Sequence, residues 1–231
     1  MLNVVNLRKE YHKVEAVKDI SFSVERGQIA IILGPNGAGK CTIIKSISGL
    51  LKYSGEITID NMNNKTLEAK KVFSYVPEMP SLYDLLTVKE HVDFIAKAYA
   101  IEDYENRAEE LYERFDLLDK KDKLGKELSK GMQQKVSLIC GLITEPKLIL
   151  LDEPMMVLDP KAIKELKSIF LELRESGISI IISTHIIDSI TDIWDKALII
   201  KDGKIIYEKN KEELEETNET LEEVFFRMTE V

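Results

Sequence analysis

The most informative segment of the chain is Gly34-Pro35-Asn36-Gly37-Ala38-Gly39-Lys40-Cys41-Thr42. It follows the apolar run 29–33 and leads into a helical pattern that begins near residue 41. Glycines allow successive backbone N–H groups to surround phosphate oxygens, and the N-terminus of a helix adds the positive end of its dipole. Lys40 is placed to reach the β and γ phosphates of a nucleotide. The segment therefore predicts a phosphate-binding loop, in preference to a glycine-rich turn that binds nothing.

Cys41 is the unusual residue of this loop, because serine or threonine usually stands here as a ligand to magnesium. Mg²⁺ is a hard ion that prefers oxygen, so a thiol is a poor ligand. We expect weaker metal binding with phosphate binding retained; the rival interpretation is that the site tolerates the thiol as it would a serine. A helix N-terminus beside Lys40 also favours a lowered thiol pKa, which predicts a reactive cysteine.

Composition narrows the class of protein. The chain has 231 residues, 44% of them hydrophobic and only 7% aromatic, which favours a layered α/β protein. Its formal net charge of −9 disfavours broad contact with nucleic acid or an anionic lipid surface. We found no apolar run near the roughly 20 residues that span a bilayer, and no signal-peptide pattern. Two cysteines far apart in sequence predict no disulfide framework and a reducing cytosol.

Hydrophobic periodicity predicts an α/β domain over 1–231, with a helical insertion. Helical patterns begin near residue 41, cover 161–175 up to Gly177, and return after Thr220. Between residues 80 and 143 the pattern is helical throughout, which predicts a core of 1–79 and 146–231 and a helical subdomain of 80–145. Asp202-Gly203 is typical of a type I′ hairpin. The predicted strands are 2–7, 20–24, 29–33, 55–60, 72–76, 148–151, 178–182, 197–201 and 204–208.

Two adjacent carboxylates follow the apolar strand 148–151. Asp152 at the carboxyl end of this strand suits a residue that positions magnesium beside a phosphate loop. Glu153 can then face the γ-phosphate and polarise a water. An exposed acidic turn is the alternative, but the phosphate loop at 34–42 favours the functional interpretation.

Two further features indicate little about function on their own, but they become informative because of the order in which all these motifs occur along the chain. Leu128-Ser129-Lys130-Gly131-Met132-Gln133 precedes a helical pattern and can present a hydroxyl and backbone N–H groups to an anion. His185 follows the strand that ends near Thr184. With the phosphate loop and the carboxylates, this set resembles the ATP-binding subunit of an ABC transporter over essentially the whole chain. Glu78, at a position where glutamine is usual, resembles the variant in short bacterial exporters of the bacitracin-resistance or ABC-2 kind.

The resemblance implies a RecA-like P-loop core with a small antiparallel β portion and an inserted helical subdomain. It implies ATP and Mg²⁺ as cofactors, Glu153 and His185 as catalytic residues, and Asp152, Glu78 and the residue at position 41, here the poor ligand Cys41, as metal ligands. It also implies a head-to-tail dimer in which residues of one copy close over the nucleotide of the other. The remaining carried-over residues are Tyr11 against adenine, Ser129, Gly131 and Met132 of the signature in trans, and Asp159 of the D-loop.

The sequence departs from the family pattern at two more places besides Cys41. Glu78 occupies the place where glutamine is usual, which keeps an oxygen and adds a negative charge. Met156-Val157 precede Leu158-Asp159 where small residues are common, so packing at the dimer seam differs. Neither removes the predicted base, Glu153.

The leading functional hypothesis is an ATPase subunit that drives transport, with export favoured, by separate integral membrane permease subunits. Its partners are then a second ATP-binding subunit and the permease, with no nucleic acid, and its place is cytoplasmic and peripheral on the inner face of the membrane. The alternative is an ABC-type ATPase that acts in assembly, for example iron–sulfur cluster delivery. A role in DNA repair or translation is disfavoured by the acidic charge. Leu82-Tyr83 predict either a packed connector or one wall of a groove for a membrane partner.

Overall fold

The computed structural model describes residues 1–217 and 219–229. Its strands are β1 Leu2–Tyr11, β2 Val14–Val24, β3 Ile29–Leu33, β4 Ser54–Ile59, β5 Met62–Asn63, β6 Phe73–Val76, β7 Leu148–Asp152, β8 Ser179–Thr184, β9 Lys196–Lys201 and β10 Lys204–Asn210. Its α-helices are α1 Lys40–Ile47, α2 Leu67–Lys70, α3 Val88–Ala98, α4 Glu105–Arg114, α5 Lys130–Leu142, α6 Pro160–Glu175, α7 Lys211–Glu215 and α8 Leu221–Thr229. No helix in these ranges is long and apolar enough to cross a membrane.

The strands form two sheets. An antiparallel sheet has the order β2-β1-β4-β5, and a larger sheet has the order β10-β9-β3-β8-β7-β6. In the larger sheet β9, β3, β8, β7 and β6 are parallel, while β10 pairs antiparallel with β9. Between those two strands Asp202 and Gly203 have φ of 51° and 77°, the signs that the predicted type I′ turn requires. This arrangement confirms the predicted α/β, RecA-like fold class with a small antiparallel portion.

The central strand β3 is buried on both faces, as its unbroken apolar sequence predicts. Ile31 and Leu33 pack in a cluster with helices α3, α5 and α6, whereas Ala30 and Ile32 pack in a second cluster with α1 and the antiparallel sheet. Each fully buried Ile or Leu contributes roughly 1.5–3 kcal/mol relative to exposure. Packing on both faces thus fixes the register of the sheet and the position of the loop that follows β3.

Helices α3, α4 and α5 lie between β6 and β7, in the segment predicted to be helical. The start of α3 is fixed by its own local sequence, because Thr87 and Glu90 form a capping box at its N-terminus. The boundaries predicted for the helical subdomain, at residues 80 and 145, stay a prediction. Short helix α2 was not predicted, because a four-residue helix offers too little periodicity to recognise.

Candidate active site

A cavity of about 350 Å³ lies where the carboxyl ends of β3 and β7 meet the N-terminus of α1. Parallel strands place their carboxyl ends at one edge of the sheet, so segments that are distant in sequence converge here. Ala16 and Met156 also contribute, although the sequence did not mark them. The predicted site residues that line the cavity are Asn36, Gly37, Gly39, Lys40, Cys41, Thr42, Glu78, Asp152, Glu153 and His185.

The loop owes its shape to two glycines. Gly39, directly before α1, has φ of 109°, a conformation that only glycine adopts readily. A Cβ on Gly34 would lie 2.3 Å from the carbonyl oxygen of Ile200, closer than any real contact. Gly34, Pro35 and Ala38 complete the loop without lining the cavity. The backbone can therefore curl tightly against β9 and begin α1 at Lys40.

Lys40 lies against its own loop. Its Nζ donates to the carbonyl oxygens of Gly34 at 2.7 Å and Pro35 at 3.3 Å, and lies 3.7 Å from Glu153 Oε1. Its side chain is only 7% exposed, and burial lowers its pKa while the carboxylates of Glu153, Asp152 and Glu78 act in the opposite direction. An ammonium bound to two carbonyls can exchange them for phosphate oxygens, which are stronger acceptors.

Glu153 and His185 form a hydrogen-bonded pair. Glu153 has φ of 47° and its N–H donates to Ser183 O at 3.0 Å, so the residue turns away from the line of β7. Its Oε1 lies 2.8 Å from His185 Nδ1, and because an ionised carboxylate only accepts, Nδ1 carries the proton. The Glu153 side chain is only 8% exposed. A buried carboxylate held by a histidine beside a phosphate loop can polarise a water.

The comparisons with known proteins agree with this geometry. A family model described as "ABC transporter" matches residues 17–156. The chain belongs to the ABC transporter ATP-binding family. It is 33% identical to the SkfA peptide export ATP-binding protein SkfE of Bacillus subtilis (strain 168), over 90% of this chain and 88% of that protein.

Two solved structures give the same result. An ATP-binding subunit of an ABC transporter superposes with a TM-score of 0.93 at 32% identity, covering 99% of both chains. The ATP-binding cassette MJ0796, in a dimeric post-hydrolysis state bound to ADP and Pi, superposes with a TM-score of 0.83 at 27% identity, covering 91% of this chain and 98% of that one. The protein is thus an ABC ATPase, the ATP-binding subunit of a transporter.

The donor set of this ABC cassette suits a magnesium ion that is shared with phosphates. Among residues 1–217 and 219–229, no three His, Cys, Asp or Glu side chains form a metal-binding group. Mg²⁺ commonly takes only one or two carboxylates and completes its shell with phosphates and waters. Asp152 can supply one such carboxylate oxygen. Its Oδ1 accepts a hydrogen bond from Ser183 Oγ, whereas its Oδ2 is buried and has no hydrogen-bond partner. The residues present therefore fit Mg²⁺ bound together with ATP.

The Cys41 thiol differs from the sequence-based expectation. Burial, followed by the neighbouring Asp152, raises its pKa to about 11, so the prediction of a lowered pKa was wrong. A half-buried position beside a carboxylate outweighs the helix N-terminus and the neighbouring Lys45. At neutral pH the thiol stays protonated, so Cys41 is not a reactive cysteine and rapid alkylation is not expected.

The other predicted residues of the ABC cassette lie away from this cavity. Tyr11 is 42% exposed at the end of β1, with Lys9 Nζ 4.6 Å above its ring. Ser129 caps α5 and Asp159 caps α6, where Asp159 also pairs with Lys135 at 3.0 Å. Gly131 fits closely against Val157 O, and Met132 packs against the core. Their roles in adenine stacking and in the dimer stay predictions.

Proposed function

We propose that this chain hydrolyses ATP to drive export through separate membrane-spanning subunits. The observation that carries the chemistry is that Lys40, Asp152, Glu153 and His185 all reach one cavity. In this proposal Lys40 leaves the Gly34 carbonyl for the β and γ phosphates. Glu153 polarises the attacking water and His185 contacts the γ-phosphate.

Asp152 and Glu78 are proposed to hold Mg²⁺ together with the phosphates. When bound, the ion supplies charge neutralisation at the β and γ phosphates. Asp152 presents its unpaired Oδ2, and Glu78 approaches the cavity from the segment after β6. The thiol of Cys41 contributes little to this shell, so the site depends more on the carboxylates and on water.

A second copy of this chain or a related subunit completes the proposed site. Its Ser129, Gly131 and Met132 then close over the γ-phosphate, with Asp159 at the seam, while Tyr11 stacks on adenine. MJ0796, dimeric in its solved structure, supports this arrangement. Met156 and Val157, which are 50% and 39% exposed, would be covered in such a dimer.

The membrane partner is proposed from the relatives. SkfE is a peptide export ATP-binding protein, and linearmycin resistance and lantibiotic transport proteins are about as similar to this chain. These support export over the alternative of an assembly ATPase, and we propose that the chain works at the cytoplasmic face of the membrane. The test has two parts: Mg-dependent phosphate release by the purified chain, and stimulation of that release by the purified membrane subunits. Release without stimulation by any polytopic partner would contradict the transport proposal.

A groove beside β6 is the proposed docking site for that partner. It has a volume of about 330 Å³ and is lined by Leu82, Tyr83, His91, Phe94 and others. Tyr83 is 60% exposed and its ring lies 5.9 Å from that of Phe94, whereas Leu82 packs against the core. The two residues therefore differ, although both were expected to act in docking or both in packing.

Tyr83→Glu is expected to break the complex with the membrane subunits while leaving the phosphate release of the isolated chain near the wild-type rate. The reason is that a charge on an exposed aromatic surface prevents apolar docking without disturbing the core. Co-purification in detergent measures the complex. Leu118→Glu, which adds the same charge at a 45% exposed leucine outside the groove, is the matched control. Intact binding by Tyr83→Glu would remove the docking site from this groove.

Cys41→Ser is expected to lower the Mg²⁺ concentration for half-maximal hydrolysis by roughly tenfold. This is the lower end of the changes in metal affinity that follow mutation of residues around a metal ion. A hydroxyl offers Mg²⁺ the oxygen that the thiol lacks. A magnesium titration of phosphate release measures this, with Cys140→Ala as the control for loss of a thiol elsewhere. Superimposable titrations for wild type and Cys41→Ser would support the rival interpretation that the site tolerates the thiol.

A further inference from the structure

Tyr75 lies in β6 and is one of the residues that line the proposed docking groove, but the function proposed above gives its hydroxyl no role. Its register partner on β7 is Leu150. Asp152 stands two residues further along β7, so Tyr75, Leu150 and Asp152 lie on the same face of the sheet. This is the face that packs against α1, because Tyr75 and Leu150 belong to the cluster that contains Ile43.

Two polar atoms on this face are buried without a partner. The hydroxyl of Tyr75 and Oδ2 of Asp152 are both inaccessible to solvent, and neither makes a hydrogen bond within the described part of the chain. Buried polar atoms are nearly always paired, so an unpaired one calls for a water, an ion or a functional role. Here one atom is a donor and the other an acceptor.

The Tyr75 hydroxyl lies close enough to the proposed metal ligands, Asp152 and Glu78, for their charges to affect its pKa. Burial is the main cause that raises its pKa, and the carboxylates of Asp152 and Glu78 raise it further. The hydroxyl therefore keeps its proton and can donate. Cys41 stands at the first turn of α1, above the same face.

We propose that Tyr75 is a positioning residue of the metal site, acting through a water held between its hydroxyl, Asp152 Oδ2 and the Cys41 thiol. Such a water has the two to four polar partners that a buried water needs. It orients the Asp152 carboxylate, whose Oδ2 keeps a second lone pair for Mg²⁺ in the site proposed above. This inference rests on the proposed function, because it assigns to Tyr75 a part in the metal binding of that site.

The test is Mn²⁺ binding measured by electron paramagnetic resonance in the presence of ADP, which requires no turnover. Tyr75→Phe removes only the hydroxyl and keeps the ring. We expect it to raise the free Mn²⁺ concentration at half-saturation by about tenfold, as for other losses of groups that orient a metal ligand. The affinity for ADP in the absence of metal should be unchanged.

The chain offers a matched control in Tyr112. Its hydroxyl is likewise buried and unpaired in the described structure, but it lies on α4 in the other core cluster. Tyr112→Phe should therefore leave the Mn²⁺ titration at the wild-type value. In a Cys41→Ser background the effect of Tyr75→Phe should shrink, because the serine hydroxyl takes over part of the role of the water.

Each outcome bears on the inference. Equal Mn²⁺ titrations for wild type and Tyr75→Phe would overturn it, and so would equal shifts in Tyr75→Phe and Tyr112→Phe, which would indicate a general packing effect. An undiminished effect in the Cys41→Ser background would exclude the shared water. If the wild-type chain binds no Mn²⁺ with ADP, the proposed function fails and this inference fails with it. If the wild-type chain does bind Mn²⁺, an unexpected result for Tyr75→Phe counts against the role of Tyr75 and leaves the proposed function intact.

Discussion

Glu153→Gln is expected to slow ATP hydrolysis by roughly 10²-fold or more, in the range for loss of a general base. The amide keeps the shape of the carboxylate but cannot take a proton from water. Glu153 is buried, is turned out of β7 by its positive φ, and accepts from His185 at 2.8 Å, so little else about the site should change. Phosphate release at saturating Mg-ATP measures the loss.

The same variant should accumulate as an ATP-bound dimer, because binding persists while hydrolysis, which reopens the dimer, does not. Size-exclusion chromatography with and without ATP detects it. Glu145→Gln is the matched control, since Glu145 is 63% exposed, pairs with Arg107 and does not line the nucleotide cavity. A Glu153→Gln enzyme with wild-type turnover would show that another group activates the water.

The phosphate loop and the two carboxylates could be predicted because each is contiguous in sequence and follows a buried strand. Once β3 and β7 are read as parallel strands, their carboxyl ends must share one edge, and the cavity bounded by Lys40 and Asp152 follows. The fold class follows from the same alternation of strands and helices. Local sequence pattern and the geometry of parallel sheets are therefore enough to predict both the fold class and this part of the site.

Properties that depend on burial could not be predicted in the same way. The helix N-terminus and Lys40 suggested a lowered pKa for Cys41, but desolvation and the Asp152 carboxylate raise it. Tyr75 reads as an ordinary strand residue, and only packing shows that its hydroxyl is buried without a partner beside the metal side of the site. Ala16 lines the cavity through its place on β2, and alanine carries no chemical signal.

Lys40→Ala is expected to abolish tight nucleotide binding, measured by calorimetry with ATP. Among the described residues that line the cavity, Lys40 is the sole lysine or arginine, so no neighbour can replace its charge at the β and γ phosphates. Without Lys40, the charges of Glu78, Asp152 and Glu153 would no longer be partly neutralised and would repel the nucleotide more strongly.

The Lys40→Ala substitution also removes the donor to the Gly34 carbonyl and the partner of Glu153, so the folded state must be checked by thermal unfolding. Lys196→Ala separates the two effects, because Lys196 likewise donates to a backbone carbonyl, that of Ser23, and pairs with a glutamate, Glu208, but does not line the cavity. Lys196→Ala should bind ATP as the wild type does, while a folded Lys40→Ala protein should not. Equal ATP affinity in wild type and Lys40→Ala would mean that the backbone N–H groups of the loop alone hold the phosphates, and that Lys40 serves only to fix the loop through the carbonyls of Gly34 and Pro35.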